Sequence, residues 1–172
     1  MLAPWPRSVM LLNIALGLAS LLLGGYILWQ TSLPLFWPYL AVWIGVLTVG
    51  RYFVCRSCPY YGQDCPTYGW GHLTRAMYRR DETRSFNGPA ATIEFGVVFV
   101  ADLLPVIAWA ISLSGQIAEF GRTEHMLMGG YLVLAVAGLL VHQRTGCARC
   151  ELEECPFSGA AQRNRRGLSR VG

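Results

Sequence analysis

The stretch Gly50-Arg51-Tyr52-Phe53-Val54-Cys55-Arg56-Ser57-Cys58-Pro59-Tyr60-Tyr61-Gly62-Gln63-Asp64-Cys65-Pro66 marks where an apolar run stops and a cluster of thiols begins. Upstream of it, residues 8–29 and about 35–54 are apolar runs long enough to cross ~30 Å of hydrocarbon as helices. The pattern returns near the other end of the chain. Runs at about 90–114 and 126–142 lead into Cys147-Ala148-Arg149-Cys150-Glu151-Leu152-Glu153-Glu154-Cys155-Pro156. Each motif is a CxxC pair followed by a Cys-Pro, and together they use all six cysteines. A hairpin of two spans plus a triple-cysteine motif, occurring twice, predicts an all-α integral membrane protein with four transmembrane helices. Repeat one covers 8–66, a connector 67–89, repeat two 90–156, and a disordered basic tail 157–172. An even number of spans separates the motifs, so both emerge on one face, as in repeats related by an axis along the membrane normal.

Composition agrees with that reading. The chain is 53% hydrophobic and 14% charged, where a soluble domain carries about 25% charged residues. Its mean hydropathy is +0.37. Most of the few charges lie between the apolar runs. All fourteen basic residues are arginine, a bias that points to genomic composition rather than to arginine chemistry. The first run is too long for the core of a cleaved signal peptide and only Arg7 precedes it. Trp29, Phe36, Trp37 and Tyr39 gather at the first hairpin turn as an interfacial aromatic belt. Within the first span, Ala15/Ala19 and Ser20/Gly24 offer small-residue faces for packing, and Asn13 is its one strong polar group.

Arginines decide the orientation. Arg7, Arg51, Arg56, Arg75, Arg79, Arg80, Arg84, Arg144, Arg149 and the tail arginines fall on one side, and Arg122 alone on the other. The positive-inside rule then places both termini and both cysteine motifs in the cytoplasm of a prokaryotic inner membrane. The net charge of +4 follows topology and is no sign of nucleic-acid binding. Cytosolic thiols stay reduced, so clustered cysteines there read as metal ligands or redox groups, whereas an inverted topology would make them three disulfides. Trp70, Leu73 and Met77 give the segment 70–80 an amphipathic helical pattern, suited either to an anionic lipid surface or to capping the cysteine site.

The predicted ligands are Cys55, Cys58, Cys65, Cys147, Cys150 and Cys155. Zinc and a cubane iron–sulfur cluster each take four ligands. A three-plus-three set therefore suggests a shared four-thiolate site with two cysteines over, or two three-thiolate sites completed by other groups. His72, His142, Asp64, Glu153 and Glu154 adjoin the motifs; His125 lies on the opposite side. Cys-Pro endings favour iron–sulfur ligation, with zinc the alternative. Gly50-Arg51-Tyr52-Phe53 running into Cys55, Cys58 and Pro59 resembles the membrane half of polyferredoxin-type quinol dehydrogenase subunits, with CxxCP here where that family has CxxxCP. The resemblance implies Cys-Pro motifs at cytoplasmic helix exits and electron passage through iron–sulfur clusters.

The third span carries two acids. Asp102 is the deeper, and an acid at the bilayer centre costs roughly 2.5–3.5 kcal/mol, so it faces the bundle interior and is a candidate proton group. Glu94 lies nearer the cytoplasmic end, within reach of an arginine such as Arg51. The expected function is a membrane redox or electron-transfer subunit with a cytoplasmic iron–sulfur site, linked to a membrane quinone and to other membrane or cytoplasmic redox subunits. The alternatives are a zinc-stabilised scaffold or assembly protein, and soft-metal transport or delivery. No Walker loop, HExxH or GxSxG occurs in the sequence.

Overall fold

The computed structural model describes residues 5–65, 67, 69–115 and 121–165, and all regular structure among them is helical. Four helices are long and apolar enough to cross a membrane: Arg7–Thr31, Leu33–Cys55, Gly88–Leu113 and Arg122–Arg149. Helix α1 (Arg7–Thr31) ends at Ser32, whose extended backbone turns the chain and whose N–H donates to Leu28 O at 2.8 Å. Helix α2 (Leu33–Gly45) starts at once, with Pro34 in its first turn, where a missing N–H is harmless. Helix α4 (Gly88–Leu113) is capped by Asn87, whose Oδ1 accepts from Ala90 N at 3.0 Å. Helix α5 (Arg122–Val141) completes the four.

Both helices that deliver a cysteine motif change winding before they reach it. After Gly45, the chain continues as a π-helix over Val46–Cys55. After Val141 it runs as π-helix over His142–Gly146, then tightens into a single 3₁₀ turn, Cys147–Arg149. Composition announces neither change: the first segment reads as the ordinary end of a helix, and the second lies beyond the run that ends at about 142. Such windings are rare and gather at functional sites.

Helix α1 packs along α5 and also meets α2 and α4. Of the two small-residue faces expected on α1, Ser20 and Gly24 are buried and form the packed one. A Cβ on Gly24 would stand 2.9 Å from Tyr131 Cε2, 3.0 Å from Tyr39 Oη and 3.3 Å from Pro105 Cγ, so the missing side chain lets α2, α4 and α5 close on α1. The bundle interior is built from Ile27, Met128 and Tyr131 on one side and Leu28, Tyr39, Ala101 and Ala108 on the other. Outward faces carry apolar residues such as Leu22, Trp37, Ile93, Phe99 and Val133. Asn13 turns inward, but its Nδ2 donates to Val9 O of its own helix at 3.0 Å rather than to a neighbouring one.

Helix α3 (Trp70–Met77) follows the first motif and packs on the π-helical segment. Gly71 and Thr74 are buried while Leu73 and Met77 are exposed. Its inner face therefore caps the cysteine loop, while Leu73 and Met77 point away. The tail, expected to be disordered from 157 onward, opens instead with helix α6 (Gly159–Arg165). Ser158 Oγ accepts from Ala161 N at 3.0 Å, and Ala160 N donates to Cys150 O at 3.1 Å. The small residues Gly159, Ala160 and Ala161 allow that close approach to the second motif. The tail arginines Arg166 and Arg170 lie outside the described residues.

Candidate metal centre

Arg51 organises the site. It sits in the π-helical segment with its side chain 1% exposed. Its Nε donates to Val46 O at 3.0 Å, five residues back, and its Nη1 donates to Cys55 Sγ at 2.9 Å. The other side of the guanidinium forms an ion pair with Glu94 of α4, which lies across the bare backbone of Gly50. The Trp70 ring covers the cation at 3.6 Å from its centroid. The Arg51–Glu94 pairing is the one the sequence suggested. The contacts with Cys55 and Trp70 depend on helix winding and on where α3 docks.

Three cysteines of the first motif gather below Arg51. Cys58 interacts electrostatically with Cys55, with Cys65 and with Cys150 of the second motif. Cys65 belongs to a buried cluster with Trp5 and Tyr60, against which Cys58 and Cys150 both pack. Cys147 and Cys155 interact with each other and with Cys150. The two motifs therefore meet, with Cys150 as the link. All six cysteines are free thiols. Among the described residues, no three ligand-type side chains stand at the spacing of a bound metal ion.

Backbone amides are aimed at the sulfurs in a repeating way. The amide of the residue two further on faces Cys58 (Tyr60), Cys150 (Leu152) and Cys155 (Phe157), whereas the Cys65 thiol donates to Thr67 O at 3.4 Å. Cys65 also faces the amides of Trp70 and Gly71 at the start of α3, and Cys155 that of Ser158. Burial pushes the thiols of Cys58, Cys65, Cys150 and Cys155 above their ordinary range, and these amides oppose that shift.

The loop between Cys58 and Cys65 is braced on all sides. Gly62, at φ +72°, donates its N–H to Gly71 O at 2.9 Å. A Cβ on Gly71 would collide with Tyr60 O, so only glycine lets α3 come this close. Tyr61 Oη donates to Tyr78 O at 2.6 Å and Tyr78 Oη to Thr48 O at 3.2 Å. Arg56 pairs with Asp81 at 2.6 Å, and Asp81 N donates to Arg56 O at 3.1 Å.

The histidines stand apart from the sulfurs or at their margin. His72 Nε2 bonds Asp64 Oδ1 at 2.8 Å on a half-exposed edge, where Asp64 also meets Arg7 at 3.3 Å. Chiefly through His72, the Asp64 carboxyl is held below its ordinary range. Both residues are thus engaged with each other. His142 lies in the second π-helical segment, before Cys147. His125 accepts from Trp109 Nε1 at 3.0 Å, at the opposite end of the bundle. Glu153 and Glu154 are exposed. Arg144, placed before the second motif much as Arg51 is before the first, is exposed too, so the two motifs are not equivalent. No family model, curated protein or solved structure matches this chain.

Proposed function

We propose that this chain is a multi-pass protein of a prokaryotic inner membrane that serves as an electron-transfer subunit. Its cysteine motifs face the cytoplasm and hold an iron–sulfur site through Cys55, Cys58, Cys65 and Cys150. The observation that carries the reading is the set of backbone amides and the buried Arg51 guanidinium directed at these sulfurs. Hydrogen bonds to sulfur are a main means by which a protein sets the potential of such a cluster. When bound, the cluster supplies one-electron chemistry. The chain itself supplies the rest: thiolates to hold it, amides to disperse sulfur charge, Arg51 to offset that charge, and Trp5, Tyr60 and Trp70 to keep water out. Cys147 and Cys155 hold a second centre if the loaded protein contains two. The arginine asymmetry supports cytoplasmic termini, and the paired π-helical exits support two related halves. Alone, the chain passes electrons rather than transforming a substrate, so its partners are other redox subunits and a membrane carrier.

A structural zinc is the second reading, favoured by how firmly Tyr61, Gly71 and Asp81 brace the loop. Metal analysis and the visible spectrum of anaerobically purified protein separate the two. Iron with acid-labile sulfide and a reducible brown chromophore is expected. One tightly held zinc without colour would overturn the iron–sulfur assignment. Reversible gain of copper or zinc by metal-free protein would point to transport.

A further inference from the structure

Away from the cysteines, four helices each bring a polar side chain to one level of the bundle interior. Ser20 comes from α1, Tyr39 from α2, Asp102 from α4 and Tyr131 from α5. Gly24 is what lets them converge, because a Cβ there would meet both tyrosines and Pro105. We infer that Asp102 is a proton-binding site inside this bundle, holding its proton as the neutral acid and exchanging it there.

Hydrogen-bond direction carries the inference. A phenol has a single proton to donate. Tyr131 Oη spends its proton on the main-chain oxygen of Asp102 at 2.6 Å. Tyr39 Oη spends its own on Leu21 O at 2.9 Å. Both tyrosines are fully buried, and both hydroxyls interact electrostatically with the Asp102 carboxyl. Neither phenol therefore has a proton left for that carboxyl. Pro105 adds another acceptor, since it lacks the N–H that Ala101 O would receive in a regular helix. A carboxylate is also an acceptor only, so the ionised form finds no donor among these groups. The undissociated acid, with one O–H to donate, can use their acceptor capacity.

The charged surroundings agree. The titratable groups facing Asp102 are Tyr39 from α2 and Tyr131 from α5; α1 contributes Ser20, which bonds Tyr131. Among the described residues no arginine or histidine acts on the carboxyl. Glu94, two turns earlier on the same helix, has Arg51 as its counter-charge. One helix thus carries an acid beside a cation and an acid without one. Asp102 is partly exposed between the outward-facing Val100 and Leu103, so a membrane-soluble reagent can reach it.

Full-length protein in liposomes tests this with dicyclohexylcarbodiimide. The undissociated acid gives its proton to a carbodiimide nitrogen while its oxygen bonds the central carbon, and an oxygen-to-nitrogen acyl shift leaves a stable N-acylurea. Peptide mapping of the wild-type protein should find the adduct on Asp102 and not on Glu94, with labelling that falls as pH rises. Infrared spectra should show a carboxylic-acid carbonyl band that D102N loses. Because the mapping needs no variant, a D102N chain that fails to fold does not blunt the test. Absence of the adduct, equal modification of Asp102 by a water-soluble carbodiimide, or protection by sodium at constant pH would each overturn the assignment, the last in favour of a metal-cation site. None of these readouts depends on metal at the cysteines.

Discussion

Arg51 is a single cation shared by a thiol, a carboxylate, a carbonyl and an aromatic face. Placing a guanidinium where its side chain is 1% exposed is costly unless every side of it is occupied, and here every side is. Removing one member leaves the other charge buried and unpaired. Arg51→Met should therefore destabilise the protein by about 3–5 kcal/mol, and Arg51→Met combined with Glu94→Gln should recover much of that loss. Thermal melts in detergent check this; a double variant no more stable than the single one would show that the ion pair is not the reason Arg51 matters. The pairing itself was legible in the sequence, since Glu94 and Arg51 both lie near the same ends of neighbouring spans. The thiol contact was not, because it depends on side-chain direction, which helix winding sets.

At the scale of elements, the segment after α3 is fastened to the cysteine loop through Asp81. Its carboxyl accepts from Thr83 Oγ1 at 2.6 Å and Thr83 N at 3.1 Å and pairs with Arg56 at 2.6 Å. These contacts, the Thr83 hydrogen bond foremost, pull its pKa from 3.8 to about 2. A carboxyl with a depressed folded-state pKa stabilises the fold above its unfolded value and stops doing so as pH falls through the folded value. The fastening is therefore complete above pH 3.8 and weakens between there and about pH 2. Asp81→Asn should flatten stability over that window, read from melting temperature against pH; an unchanged slope would remove Asp81 from the account. Helix α3 was legible as amphipathic from Trp70, Leu73 and Met77. Its docking was not, because the deciding residue is Gly71, whose value lies in the side chain it lacks.

For the whole molecule, the four long helices were plain in the sequence, as apolar runs of membrane length with few charges in them. The meeting of Cys58 with Cys150 was suggested by the repeated motif and is made by loop packing around Trp5 and Tyr60. The start of the tail was misread because Gly159, Ala160 and Ala161 carry little hydrophobic signal, although their small size is what lets them pack. Sidedness is checked by thiol labelling of intact cells with a membrane-impermeant maleimide. All six cysteines should escape modification and react after the membrane is opened, whereas labelling from outside would overturn the cytoplasmic placement.

The π-helical passage Val46–Cys55 has a rotational consequence. An α-helix advances about 100° per residue, and a π turn takes in an extra residue without a matching advance. The passage thus works as a phase shifter between two faces of one rod. Relative to the apolar side chains of α2 before it, Arg51 and Cys55 within it therefore take angular positions that an unbroken α-helix would not give them. Losing a single residue there would leave the span long enough and apolar enough, yet would turn the thiol outward, which makes chain length between Gly45 and Cys55 as much a part of the centre as the cysteine itself.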